Sequence, residues 1–298
     1  GYGWWRLPRV EPGGEPLAVA LVQANIPLEQ KSAGDVHSLF YEHLGLTYEV
    51  QRGTRLVVWP ETAVPTRLMH VPEFRERLQA AARALRATLV VGGVATIPAA
   101  DPLATQVANA AFVLDDQGRL VDDYHKVHLV ILGEYLPLRN WPLVSAIARL
   151  TPQFWAGSRY RAVATPLGRV GIPICYESAF PGDVRAMVKD GAGALVVITN
   201  DDQLSETGAR QLFQQTVFRS VETRRWMARC ANSGISCFVA PSGRVVSASE
   251  WDRRTLHTGM LRLHNGVTFY VRCGDWLPWL CLLVTAAALL QRRRGNEK

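Results

Sequence analysis

In three places this 298-residue sequence follows an apolar run with a reactive polar group: Glu61 in VVWPETAVP, Lys126 and Glu134 in DYHKVHLVILGEYLP, and Cys175 with Glu177 in GIPICYESAFPGD. In layered α/β proteins sites gather beyond the ends of apolar strands. Glu61 follows Pro60, which has no N–H to continue a strand ladder, and a carboxylate at such a tip is suited to proton abstraction. The segment around Lys126 and Glu134 is too charged for core and too apolar for a free loop. Cys175 sits where a strand gives way to a helix start near Pro181. There a helix N-terminus and a nearby lysine can stabilise a thiolate, making the cysteine a nucleophile. Each feature alone is weak, because an isolated buried cysteine is usually inert.

Other chemistries find less support. His125 and His128 are three apart, but no third-ligand motif accompanies them, so a hydrogen-bonding role is expected and no metal. The five cysteines are odd in number and lack a C-x-x-C pair, which indicates neither a disulfide framework nor a zinc site. No glycine-rich phosphate loop is present, so no cofactor is expected. The basic stretch Arg210 to Arg229 reads as an amphipathic helix with a solvated face, and no nucleic-acid partner is expected. With 48% apolar and 20% charged residues the chain has material for a core. Its net charge of +7 owes much to the last eight residues, QRRRGNEK, which hold four basic groups and one acidic.

The elements that must position these groups follow from local pattern. Leu17 to Ala24, Arg55 to Glu61, Thr88 to Thr96, Val170 to Glu177 and Gly193 to Asp201 are short β-rich apolar runs that predict buried strands. Asp35 to Arg52, Val71 to Ala87, Phe180 to Asp190 and Ala209 to Trp226 have helical spacing. Turn residues at Asp115–Gly118 and Pro241–Arg244 predict two hairpins. The alternation implies an α/β layered domain.

The ends differ. Residues 1–16 read as a membrane-proximal linker, and an upstream part of the protein is expected because the chain starts at Gly1 without a signal peptide. The uncharged run from Trp276 to Leu290 would make about 22 Å of helix, against roughly 30 Å of bilayer hydrocarbon. A helix over 270–291 is long enough to span, with tryptophans at one end and a basic tail, 292–298, at the other. A buried or surface-lying helix is the alternative. If the helix spans, the arginines belong in the cytoplasm.

Taken together and in this order, Glu61, Lys126 and Cys175 resemble the nitrilase superfamily, whose members use a glutamate, a lysine and a cysteine spaced across one domain. The likeness covers nearly all of residues 17–265. VQANIP, VVWPETAVP, YHKVHLVILGEYLPL, GIPICYES and ITND are, within that superfamily, similar to the apolipoprotein N-acyltransferase branch. The resemblance implies a nitrilase-like four-layer α-β-β-α sandwich over 17–268, followed by one C-terminal transmembrane helix. It also implies Glu61 as base, Lys126 as electrophilic support and Cys175 as nucleophile, with Glu134, Glu177 and Tyr176 as supporting residues. The implied activity moves a fatty acyl chain from a phospholipid donor to the N-terminal amine of an apolipoprotein acceptor. It would pass through a cysteine thioester at the bacterial inner membrane, with the catalytic domain facing the periplasm. A nitrilase-type amidase acting on a small C–N substrate is the alternative, and an inactive scaffold is a third reading. Two departures stand out. The helices that precede the domain in this branch are missing here, and Asp202, Gln203 and Leu204 occupy the place of the branch's usual aromatic pair and glycine.

Overall fold

The computed structural model describes residues 14–32, 35–97, 106–138, 141, 153–202 and 204–296. Most of the expected linker, Gln203 and the last two residues of the tail lie outside that set. Among the described residues twelve strands form two six-stranded sheets. The first runs in the order β12 (Thr255–Arg262), β1 (Pro16–Gln23), β2 (Leu56–Val58), β3 (Thr88–Ile97), β4 (Gln106–Leu114), β5 (Leu120–His125). The second runs β11 (Val245–Ala248), β10 (Cys237–Val239), β9 (Met227–Ala231), β8 (Ala194–Thr199), β7 (Gly168–Gly171), β6 (Ala162–Thr165). The helices are α1 (Leu28–Ser32), α2 (Val36–Tyr48), α3 (Pro72–Leu85), α4 (Pro181–Lys189), α5 (Glu206–Thr223), α6 (Phe269–Cys273) and α7 (Trp276–Asn296).

Strands β1, β2 and β8 read as continuous apolar runs because both of their faces are covered. Val19, Leu21, Leu56, Val58 and Val90 of the first sheet meet Val196, Ile198, Ala228 and Phe238 of the second. The opposite face of the first sheet, with Ala20, Val22, Val57 and Leu89, packs on Phe40 and Leu44 of α2 and Phe74 and Leu78 of α3. Leu195, Val197 and Met227 face Val184 and Val188 of α4, with Phe213 and Val217 of α5 alongside. The result is the α-β-β-α layering. Both expected hairpins form, joining β4 to β5 and β10 to β11 antiparallel.

Two expectations are corrected. The strand expected over Val170 to Glu177 stops at Gly171. Ile174 then makes a single bridge to Ile198, and a 3-10 turn, Cys175–Ala179, begins. Pro173 cannot donate to a ladder, and the Ile174 N–H is taken by the Glu177 carboxylate at 2.8 Å. The single helix expected over 270–291 is broken at Gly274, whose φ of +66° interrupts the helical path between α6 and α7. Among the described residues no helix is long and apolar enough to cross a membrane. The break separates Tyr270 to Cys273 from the apolar run, leaving a stretch that ends in arginines. Leu282, Leu283, Val284, Leu289 and Leu290 of α7 are nevertheless all exposed.

Candidate active site

Glu61 is set by a close approach of backbones. Trp59 N–H donates to Val90 at 2.8 Å, and a Cβ on Gly92 of β3 would lie 2.0 Å from the Pro60 carbonyl oxygen. Only glycine lets β3 pass there. The Glu61 carboxylate is buried and accepts from three groups: Asn109 Nδ2 at 2.7 Å, Lys126 Nζ at 3.0 Å and the Asn200 backbone N–H at 2.9 Å. Lys126 follows β5 and is tied to β4 by its N–H on the Asn109 carbonyl, 2.8 Å. Its ammonium bridges Glu61 and Glu134, the latter at 2.9 Å. Asn109 spans the same two carboxylates, reaching Glu134 at 2.8 Å. Glu134 is carried by a loop that folds on itself, with Val130 N–H donating to its Oε2 at 2.8 Å.

Cys175 is half-buried and has a φ of +51°, the left-handed region that a residue with a side chain rarely occupies. Glu61, Lys126, Glu134 and Cys175 all line one cavity of about 330 Å³, together with Lys31, Asn109 and Asn200. Burial disfavours the Lys126 charge, but Glu61, Cys175 and Glu134 outweigh it and hold the lysine above its ordinary pKa. Burial and then Glu61 push the Cys175 thiol up to about 12, and Lys126 offsets them only in part. Burial and the facing Glu61 thus oppose the thiolate that a helix start and a lysine alone would favour. A proton on sulfur next to a carboxylate is the arrangement for base-assisted attack on a carbonyl.

The supporting residues separate. Glu177 is fully buried and accepts from Tyr124 Oη (3.0 Å), from the N–H groups of Val127 (2.7 Å) and His128 (3.2 Å), and from Ile174 N–H. It ties the loop after Lys126 to the turn of Cys175 and is not among the residues lining the cavity. Tyr176 faces a neighbouring apolar groove of about 720 Å³ and makes an edge contact with His128. Val130 and Phe154 line both spaces. His125 and His128 pair with Asp123 and Asp183 at 3.0 and 2.9 Å, the hydrogen-bonding role expected of them. On α5, Arg210 and Arg219 pair with Glu206 and Glu222. Sequence reasoning missed Asn109, Lys31 and Asn200. The one signal for Asn109 is an amide in the middle of the apolar run VANAAFVL, away from the strand's polar start at Gln106.

The profile of the carbon-nitrogen hydrolase family matches residues 18–266. The chain belongs to that family. This carbon-nitrogen hydrolase domain is 35% identical, over 99% of its length, to an apolipoprotein N-acyltransferase of Geobacter metallireducens, and covers 57% of that protein. An apolipoprotein N-acyltransferase of Gloeobacter violaceus is 33% identical over 98% of the chain, which covers 56% of it. The chain thus spans somewhat over half the length of these relatives. A solved amidase of the nitrilase superfamily from Nesterenkonia AN1 shares the fold, with a TM-score of 0.60 at 19% identity, covering 89% of this chain and 96% of that one.

Proposed function

We propose that this chain is the catalytic part of an N-acyltransferase that moves a fatty acyl chain from a phospholipid to the N-terminal amine of a diacylglyceryl-cysteine on a lipoprotein. The observation that carries the reading is the junction of the Glu61–Lys126–Cys175 cavity with an apolar groove through Val130 and Phe154. The likeness to proteins named apolipoprotein N-acyltransferases adds to it. Glu61 takes the Cys175 proton as sulfur attacks the donor ester. Lys126 faces the developing oxyanion, and the lysophospholipid leaves with the proton. The incoming amine then attacks the thioester, gives its proton to Glu61, and the thiol is restored. An apolar groove around the acyl chain keeps water from competing with the amine.

Ile131 and Trp155, which line the groove, are exposed apolar groups, as are Leu138, Trp141 and the leucines of α7 up to Leu290. Such surfaces suit lipid. In this reading α7 is the membrane segment, its short apolar stretch accommodated by local thinning and by Arg292 reaching the cytoplasmic interface of the inner membrane. The catalytic domain faces the periplasm. Incubation with a phospholipid carrying a labelled acyl chain tests the proposal. Label should appear on Cys175 and pass to a diacylglyceryl-cysteine peptide. Cys175→Ala should capture none, and Glu61→Gln and Lys126→Ala should slow capture at least about a hundredfold. Hydrolysis of small amides in place of acyl capture would favour the amidase reading.

A further inference from the structure

Asp202 stands where the chain departs from its family's wording, and it joins segments remote in sequence. Its side chain is 3% exposed and lies 3.4 Å from the Lys31 ammonium, itself 6% exposed. Asn232 Nδ2 donates to Asp202 Oδ2 at 2.8 Å, and the Ser233 hydroxyl donates to Oδ1. The Asn200 amide, oriented by these partners, donates to Asp202 Oδ2 at 2.7 Å and accepts from Lys31 Nζ at 3.1 Å. The backbone N–H of that same Asn200 holds Glu61 Oε2.

Lys31 lines the catalytic cavity with Glu61 and Cys175. The carboxylates whose fields it feels are Asp202 and then Glu61. Glu61 in turn faces Lys126, Glu134 and Cys175. The buried His43 is kept uncharged by burial, its pKa pushed down to about 3. A buried ammonium deprived of its counter-ion turns to the next carboxylate or gives up its proton. For Lys31 that next carboxylate is the base.

We propose that Asp202 is the counter-ion that keeps the Lys31 cation off Glu61, so that Lys126 alone balances the base. Asp202 is then a positioning residue, acting through Lys31 and Asn200. The inference rests on the reading of Glu61 as the base for Cys175. If Lys31 paired with Glu61, the carboxylate would bind a proton less readily and would repel a neighbouring thiolate less. Intrinsic thiol reactivity and base-assisted transfer would therefore move in opposite directions.

The test uses Asp202→Asn, Lys31→Met and the double variant. Iodoacetamide at pH 8 is the thiol probe, with alkylation followed on the Cys175 peptide by mass spectrometry. In Asp202→Asn, Cys175 should alkylate about five- to tenfold faster than in the wild type, while acyl capture from phospholipid falls at least tenfold. Adding Lys31→Met should reverse both. Local disorder would also bare the thiol, but removing Lys31 would not then slow it again. Asp202→Ser, with and without Lys31→Met, repeats the comparison should the asparagine variant not fold. Unchanged alkylation in the single variant, or a double variant that matches it, overturns the proposal. Absence of wild-type capture from phospholipid alongside the predicted alkylation pattern would sink the acyl-transfer reading and support the counter-ion role.

Discussion

At the scale of the residue, Cys175 combines a raised pKa with a strained backbone. A left-handed φ at a residue with a Cβ costs roughly 1–3 kcal/mol, and the turn is held by the Glu177 N–H on Ile174 at 3.2 Å and the Ser178 hydroxyl on the Cys175 carbonyl at 2.7 Å. Cys175→Gly should relieve that strain and Cys175→Ala should not. Both variants should lose acyl capture, and the glycine protein should be more stable by about 0.5–1 kcal/mol after its greater unfolded-state entropy is counted. A lower melting point for the glycine variant would refute the strain. Glu177 makes a pH-dependent contribution. Burial raises its pKa to about 7 from the ordinary 4.5. The folded protein therefore holds a proton that the unfolded chain releases above about 4.5. The stability from this group is complete below that pH and is lost as pH climbs towards 7. Glu177→Gln has no such titration, and its amide opposes the Ile174 N–H, so it should be less stable than the wild type at pH 5. Urea unfolding should show that gap narrowing by pH 8, and a widening gap would overturn the assignment.

At the scale of the element, the passage of β3 behind Glu61 makes Gly92 a test of how tightly the base is fixed. Gly92→Ala must push the Pro60–Glu61 backbone away, because the added carbon would also fall 2.9 Å from the Glu61 Cα. Acyl capture should drop at least about tenfold, the scale on which small misplacements act, with a lowered melting temperature. Retention of full activity would mean that the base tolerates displacement. The apolar strands were legible in the sequence because β1, β2 and β8 are covered on both faces and need no alternation. Strand β12 was not, since TLHTGMLR lies at a sheet edge with residues such as Met260 exposed, and its apolar content follows no run. Cys175, Glu61 and Lys126 were legible as strand-end groups. Asn109, Lys31 and the partners of Asp202 were not: their meeting is tertiary, with more than 200 residues between Ile26 and the Asn232 that bonds it. The raised Cys175 pKa was hidden for the same reason, because its causes, burial and the facing Glu61, depend on how distant segments pack around the thiol.

At the scale of the whole molecule, the catalytic layers and α7 are separable. The exposed leucines of α7 contribute little to the packed layers, whereas Val271 of α6 is buried in the outer core of the second sheet. A chain ending at Gly274 should fold with a melting temperature within about 3 °C of the full chain and fail to float with phospholipid vesicles that retain the full chain. Flotation of the shortened chain would shift membrane attachment to the apolar rim near the groove.

The pairing of β1 with β12 joins Pro16 to Arg262 and Gln23 to Thr255 along its whole length. Among the described strands the first is thus completed by the last, and a growing chain keeps the backbone groups on that side of β1 unpaired until β12 has been made. Bare strand edges are sites of misassociation, and pairings between chain ends form slowly. When β12 does emerge, the apolar residues of α7 are only just behind it in synthesis. Closure of the sandwich and delivery of the apolar residues of α7 therefore fall within the same short interval of translation, and an arrest before residue 255 would leave the first sheet without its edge strand β12 and without α7.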